Sequence, residues 1–233
     1  MRDPVRWHCF ADADAVAGEA LARVLDASRR AIAARGRFSI VLAGGTTPEK
    51  VYRRLQGCDA DWPHWFVWFG DERCLPAGHP DRNSVMAQEA LLAHVPIPAG
   101  QIFPIPAESG PQRAADAYEA LIKPESPFDL VLLGIGEDGH TASLFPGHVH
   151  PEDRRVVPVF DAPKPPPERV SLNVSALGDT REMCVLVTGD AKRDAVRQWR
   201  RGVDLPVTRL SCAAGVDVLV DEAAGEGVIP EEG

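Results

Sequence analysis

Lysine is scarce in this chain: among 233 residues only Lys50, Lys123, Lys164 and Lys192 carry an ammonium group, and arginine supplies most of the positive charge. The formal net charge is −9. A general nucleic-acid binder is normally basic, so that class is disfavoured. A small anionic substrate stays compatible, because a few local cations can oppose the global field. Cysteine is sparse and scattered, at Cys9, Cys58, Cys74, Cys184 and Cys212, an odd set with no C-x-x-C pair. That argues against a disulfide framework and against a zinc knuckle, and it predicts reduced thiols in the cytoplasm. No window approaches the roughly 18 apolar residues of a membrane span, and no apolar run at the N-terminus marks a secretory signal. Neither an internal repeat nor a low-complexity segment is present. A chain of this length suits one large α/β domain, here expected over 1–233.

The most informative stretch is FDLVLLGIGEDGHTASLFPG (128–147). Its apolar start, broken only by Asp129, suits a strand buried on both faces of a parallel sheet. Gly134, Gly136 and Gly139 follow, with Glu137, Asp138 and His140 among them. Open α/β sheets bind ligands beyond the carboxyl ends of their strands, so an imidazole and two carboxylates are offered where such a fold places its site. The three glycines also spell G-x-G-x-x-G, a dinucleotide fingerprint. The context opposes that reading. Pro146 and Gly147 stop any helix within about two turns, and no acid-terminated strand follows. A turn with a surface histidine is the plain structural alternative, but it leaves the clustering of acids and imidazole unexplained. His148 and His150, two apart on a loop, read as solvated side chains, since a metal site needs three or four ligands.

Strands and helices alternate along the rest of the chain. A helix is predicted over 12–34, capped by Asp12 or Asp14 and ended by Gly36. A strand over 38–43 leads through Gly44, Gly45 and Thr46 into a helix with Thr47 as cap and Pro48 as first residue. A glycine pair between strand and helix is an anion site, because free N–H groups and the helix dipole point at it. A strand over 65–69 ends in Gly70-Asp71-Glu72-Arg73. Asn83 is expected to cap the next helix, a short strand is expected over 102–105, and a helix over 111–122. The proline-rich segment 151–168 reads as a surface excursion holding a strand over 156–160. Strands over 169–174 and 184–188, a helix over 190–201 and a strand over 216–220 complete the pattern, and the acidic tail from Gly225 is expected to fray. The alternation implies a doubly wound, mostly parallel sheet with helices on both faces. Four charged or glycine-rich motifs, at 44–47, 70–73, 134–140 and 189–192, follow predicted strand ends and so converge.

The segments LAGGTTPEKVYRRL (42–55), WFGDERCLP (68–76), DRNSVMAQEALL (81–92), 128–147, DAPKPPPERVSLN (161–173) and LVTGDAKRDAV (186–196) together resemble the 6-phosphogluconolactonases. The resemblance implies a Rossmann-like fold shared with glucosamine-6-phosphate deaminases and ribose-5-phosphate isomerases. It implies hydrolysis of 6-phospho-D-glucono-1,5-lactone without metal or organic cofactor. On this likeness His140 resembles the general base, Asp138 its carboxylate partner and Arg73 the arginine that faces substrate. Gly44, Gly45 and Thr46 match the phosphate loop, and Arg169 and Lys192 match residues that hold phosphate or developing charge. The expected partner is a phosphosugar lactone, with no nucleic acid and no membrane, on a monomer or weak homodimer. Two other readings are weighed. A deaminase or sugar-phosphate isomerase shares the loop, but Phe145 stands where the deaminases carry a carboxylate, and Arg73 where they carry a tyrosine. A sugar-phosphate-sensing regulator would need a DNA-binding segment, and residues 1–36 hold one long helix rather than a helix-turn-helix. No G-x-S-x-G elbow accompanies Ser143, so a serine nucleophile is not expected.

Overall fold

The computed structural model describes residues 4–123 and 127–227. Six parallel strands form the main sheet in the order β1 (Val5–Phe10), β9 (Val216–Asp221), β8 (Thr180–Val187), β5 (Phe128–Gly134), β2 (Phe38–Leu42) and β3 (Trp65–Phe69). The inner strands β2 and β5 are almost wholly buried, as their unbroken Val, Ile and Leu content requires. The fold is α/β, with helices packed against this parallel sheet.

The first helix, α1 (Ala13–Arg35), explains how the chain crosses from the β1 edge to β2. Its 23 residues span roughly 34 Å at 1.5 Å per residue, enough to pass over the intervening strands at about 4.8 Å each. Val16, Ala17, Ala20, Val24, Ala27, Ser28 and Ala31 form its buried face, and the small side chains let it lie close to the sheet. Asp12 is the cap, its Oδ1 accepting from the N–H groups of Asp14 at 2.9 Å and Ala15 at 2.8 Å. Gly36 closes the helix at φ 74°, a left-handed conformation that glycine adopts without strain.

A second, antiparallel sheet was not foreseen from the sequence. It contains β4 (Asp71–Arg73), β7 (Arg169–Leu172) and β6 (Val156–Val159), in the order β4-β7-β6. It sets Arg73 directly opposite Arg169. The edge strand β1 was also missed.

Several boundaries need correction. The helix α2 (Thr46–Leu55) begins one residue before the expected cap, with Gly45 at its N-cap. Thr47 is instead tied through its hydroxyl to that of Thr188, 2.5 Å away. Asn83 is the first residue of α3 (Asn83–Ala87) rather than its cap, and a wider π-type turn, Gln88–Leu92, continues it. Residues 102–105 contribute a single bridge, Ile102 to Val67, and no strand. The helix α4 (Pro111–Ile122) matches expectation, whereas the one expected over 190–201 divides into a 3₁₀ turn, Asp190–Lys192, and a regular helix. The tail expected to fray from Gly225 is ordered at its start, where Gly225 is the buried last residue of a helical turn, Glu222–Gly225, and residues past 227 lie outside the described ones.

Candidate active site

The carboxyl ends of β2, β3, β5 and β8, which are neighbours in the sheet, carry the four motifs. Between them lies a cavity of about 330 Å³ lined by Gly44, Gly45, Asp71, Arg73, Asn83, Gly136, His140, Phe145, Lys164, Arg169 and Lys192, among others. Of the eight residues given site roles by the resemblance, six, namely Gly44, Gly45, Arg73, His140, Arg169 and Lys192, line this one pocket. Asp138 stands behind His140, and Thr46 opens α2 next to Gly45.

The loop after β5 folds on itself. The N–H of Gly136 donates to the carbonyl of His140 at 2.8 Å, and Gly139 N–H to the carbonyl of Gly136 at 3.0 Å. This brings His140 Nδ1 within 2.5 Å of Asp138 Oδ1, which also accepts from the His140 backbone N–H at 3.1 Å. Burial pushes the Asp138 carboxyl up, but these two bonds and the adjacent imidazole more than offset it and hold the group below the usual carboxylate range. Gly136 has no room for a side chain: a Cβ there would lie 2.0 Å from His140 Nδ1. The His140 ring packs against Phe145, with centroids 4.7 Å apart. Ala142 lines the pocket at φ 49°, a left-handed conformation unusual for a residue with a Cβ.

A buried polar network joins this loop to the other walls. Ser143 Oγ donates to Asp71 Oδ2 at 2.6 Å, and Asn83 Nδ2 donates to Asp71 Oδ1 at 3.0 Å and to the Asp71 carbonyl at 2.9 Å. The amide of Asn83 presses on Gly44, where a Cβ would meet Oδ1 at 2.1 Å. Fully buried Glu72 accepts from the N–H groups of Arg73, Asn83 and Ser84 and from the Ser84 hydroxyl, at 2.6 to 2.9 Å. Such satisfied networks fix loops rigidly.

A scan against family models matches residues 11–219 to the glucosamine-6-phosphate isomerases/6-phosphogluconolactonase family. The chain belongs to this family. It is 37% identical over 234 residues to a 6-phosphogluconolactonase of Mycobacterium leprae, covering 92% of this chain and 95% of that one. It is 39% identical over 235 residues to one of Streptomyces coelicolor, covering 91% and 88%. A solved 6-phosphogluconolactonase from Trypanosoma brucei superposes with a TM-score of 0.84 at 28% identity, over 97% of this chain and 100% of that one.

Within this family member the cations differ in what they have left to offer. Arg169 donates from Nε to the Pro166 carbonyl at 3.1 Å and from Nη2 to those of Lys164 and Pro165 at 2.9 and 3.2 Å. Arg73 donates from Nη1 to the Asp81 carbonyl at 2.5 Å, while its buried Nε has no hydrogen-bond partner among the described residues. No hydrogen bond or ion pair engages the Lys192 ammonium among the described residues, and burial pushes it down, with Lys164 adding to the shift and Glu137 and Asp138 opposing it. Sequence reasoning missed Lys164, Asn83 and the buried role of Glu72. Lys164 belonged to a quoted segment, but only the loop's return to the pocket reveals it. His148 and His150 lie outside this wall, their rings 6.2 Å apart.

Proposed function

We propose that the chain hydrolyses 6-phospho-D-glucono-1,5-lactone to 6-phosphogluconate in the pentose phosphate pathway. The observation that supports this most is the His140–Asp138 pair, 2.5 Å apart, in a pocket that also holds arginines and lysines. A lactone is an activated ester, so water needs a positioned base to attack its carbonyl. Asp138 accepts a hydrogen bond from Nδ1–H, which leaves the Nε2 lone pair for water. Water adds to the lactone carbonyl as Nε2 takes its proton. The tetrahedral oxyanion is stabilised by Arg73, whose Nε lacks a partner among the described residues. The ring C–O bond then breaks, and the imidazolium returns the proton to the departing ring oxygen. Gly44, Gly45, Thr46, Lys192 and the Nη1 of Arg169 bind the phosphate, using the α2 N-terminus and two cations. Binding at this remote group orients the ring. The setting we propose is cytoplasmic, supported by scattered cysteines with no disulfide pattern.

Phe145 weighs against deamination. It packs an apolar ring on His140 where the deaminases have a carboxylate. The test is accelerated lactone opening, followed with 6-phosphogluconate dehydrogenase after subtraction of the spontaneous rate. Tight binding of 6-phosphogluconate with no acceleration would instead favour a sensor, and ammonia release from glucosamine 6-phosphate would favour a deaminase.

A further inference from the structure

The loop between β6 and β7, residues 160–168, has a rigid backbone and one long cationic side chain. Three of its carbonyls, those of Lys164, Pro165 and Pro166, accept from the Arg169 guanidinium. The Ala162 N–H closes the loop onto the Pro167 carbonyl at 3.0 Å, and Ala162 packs with Phe145 and Val159. The Lys164 side chain is unlike this frame. It lines the pocket, is 52% exposed, and its ammonium lies 3.7 Å from Glu137 Oε2. That distance is an ion pair without a hydrogen bond, between two exposed side chains, and such pairs stabilise a fold little.

Donor accounting separates the pocket cations. Arg169 spends Nε and Nη2 on the loop and retains Nη1, and Arg73 spends Nη1 on Asp81. Lysine carries three donors on a flexible stem. Lys164 is therefore free to exchange a loose carboxylate contact for a tighter anion. We infer that Lys164 is a second lysine gripping the substrate's phosphate, held by Glu137 until the phosphate replaces that carboxylate, and that Arg169 positions it by strapping its loop. This rests on the function proposed above. Glu137 becomes a competitor for the ammonium, so removing each partner has opposite effects on binding.

The probes are 6-phosphogluconate and gluconate, titrated calorimetrically into the full chain. Lys164→Gln should weaken 6-phosphogluconate binding by roughly 10-fold to 100-fold, the scale of a charge-assisted hydrogen bond, and leave gluconate binding unchanged. Lys164→Arg should restore most of the loss. Glu137→Gln should tighten 6-phosphogluconate binding, and the gain should vanish in the Lys164→Gln background. Because both side chains are exposed, melting temperatures should stay near wild type. Unchanged 6-phosphogluconate affinity in Lys164→Gln, or an equal loss for gluconate, overturns the inference while leaving the proposed function standing. Failure of the wild type to bind 6-phosphogluconate or to open its lactone overturns both.

Discussion

At the scale of single residues, the proposed chemistry rests on how firmly one ring is held. His140 reaches Asp138 because the chain turns through Gly139, at φ 83°, and folds the ring over Gly136, where a Cβ would come 2.0 Å from Nδ1. His140→Ala should lower kcat by roughly 10²–10⁴-fold, the range of a positioned acid–base group, with little change in product affinity. Gly136→Ala should approach that loss by displacing the ring, and a near-native kcat in either folded variant would move the base elsewhere. Melting temperature measured alongside kcat separates lost chemistry from lost structure. The pH profile carries a second check. Asp138 is held below the usual carboxylate range, so it stays an ionised acceptor for the ring as pH falls toward that range. A general base acts only in its unprotonated form, so kcat should show an acid limb, with rate falling as pH drops. Asp138→Asn should lower kcat and alter that limb, and an unaltered limb would show that the carboxylate does not tune the ring. These residues were legible in the sequence because they sit together on one glycine loop. Lys164 and Asn83 were not, because each reaches the pocket from another segment through tertiary contact.

At the scale of elements, the edge strand β1 depends on one carboxylate. Asp217 on β9 accepts from Arg6 Nε at 2.9 Å and Nη2 at 2.7 Å, meets His8 Nε2 at 2.7 Å, and lies 3.2 Å from Arg23 Nη1 on α1. Burial pushes this carboxyl up, but Arg6, His8 and Arg23 outweigh it and bring it from 3.8 to about 2. A folded-state value below the unfolded one gives stability that is present above the unfolded value and lost as pH falls through the folded one. The lowering from 3.8 to about 2 corresponds to about 2 kcal/mol at neutral pH. Asp217→Asn should remove about that much, and the variant's stability should fall less steeply than wild type between pH 4 and pH 2. Chemical denaturation across that window measures both, and parallel curves would remove Asp217 from the acid response. This strand was illegible beforehand because Arg6 and His8 break its apolar pattern and find their partner 211 and 209 positions away. The strand β4 hid for a related reason. Asp71, Glu72 and Arg73 look like a charged loop, and their strand partner β7 starts only at Arg169. The buried parallel strands were plain, since continuous Val, Ile and Leu runs need no distant partner to be recognised. Thr47 misled because a threonine before proline satisfies a local capping rule, while its actual bond crosses to Thr188.

At the scale of the whole molecule, the candidate site joins two sheets inside a field that opposes it. The chain carries a net charge of −9, yet Arg73, Arg169, Lys164 and Lys192 converge on one cavity. Local cations of this kind focus an anion against the global repulsion, an effect that salt weakens. The cavity walls come from loops after four strands of the large sheet and from β4, β7 and the 164–165 loop of the small one. A ligand seated there spans both sheets, and unfolding must release it. Bound 6-phosphogluconate should therefore raise the melting temperature of the entire chain as one transition. At a hundred times its dissociation constant the gain is about 2.7 kcal/mol, which for a chain of this size is roughly 5–10 °C. Lys192→Ala should shrink the shift at a fixed ligand concentration, because Lys192 is half-buried with no hydrogen-bond or ion-pair partner among the described residues. The variant's shift should also depend less on salt, since one screened attraction has gone. Scanning calorimetry with and without ligand, at low and high ionic strength, reads all three quantities. A Lys192→Ala shift equal to wild type at both ionic strengths would take Lys192 out of the phosphate site and leave the grip to the α2 N-terminus, Arg169 and Lys164.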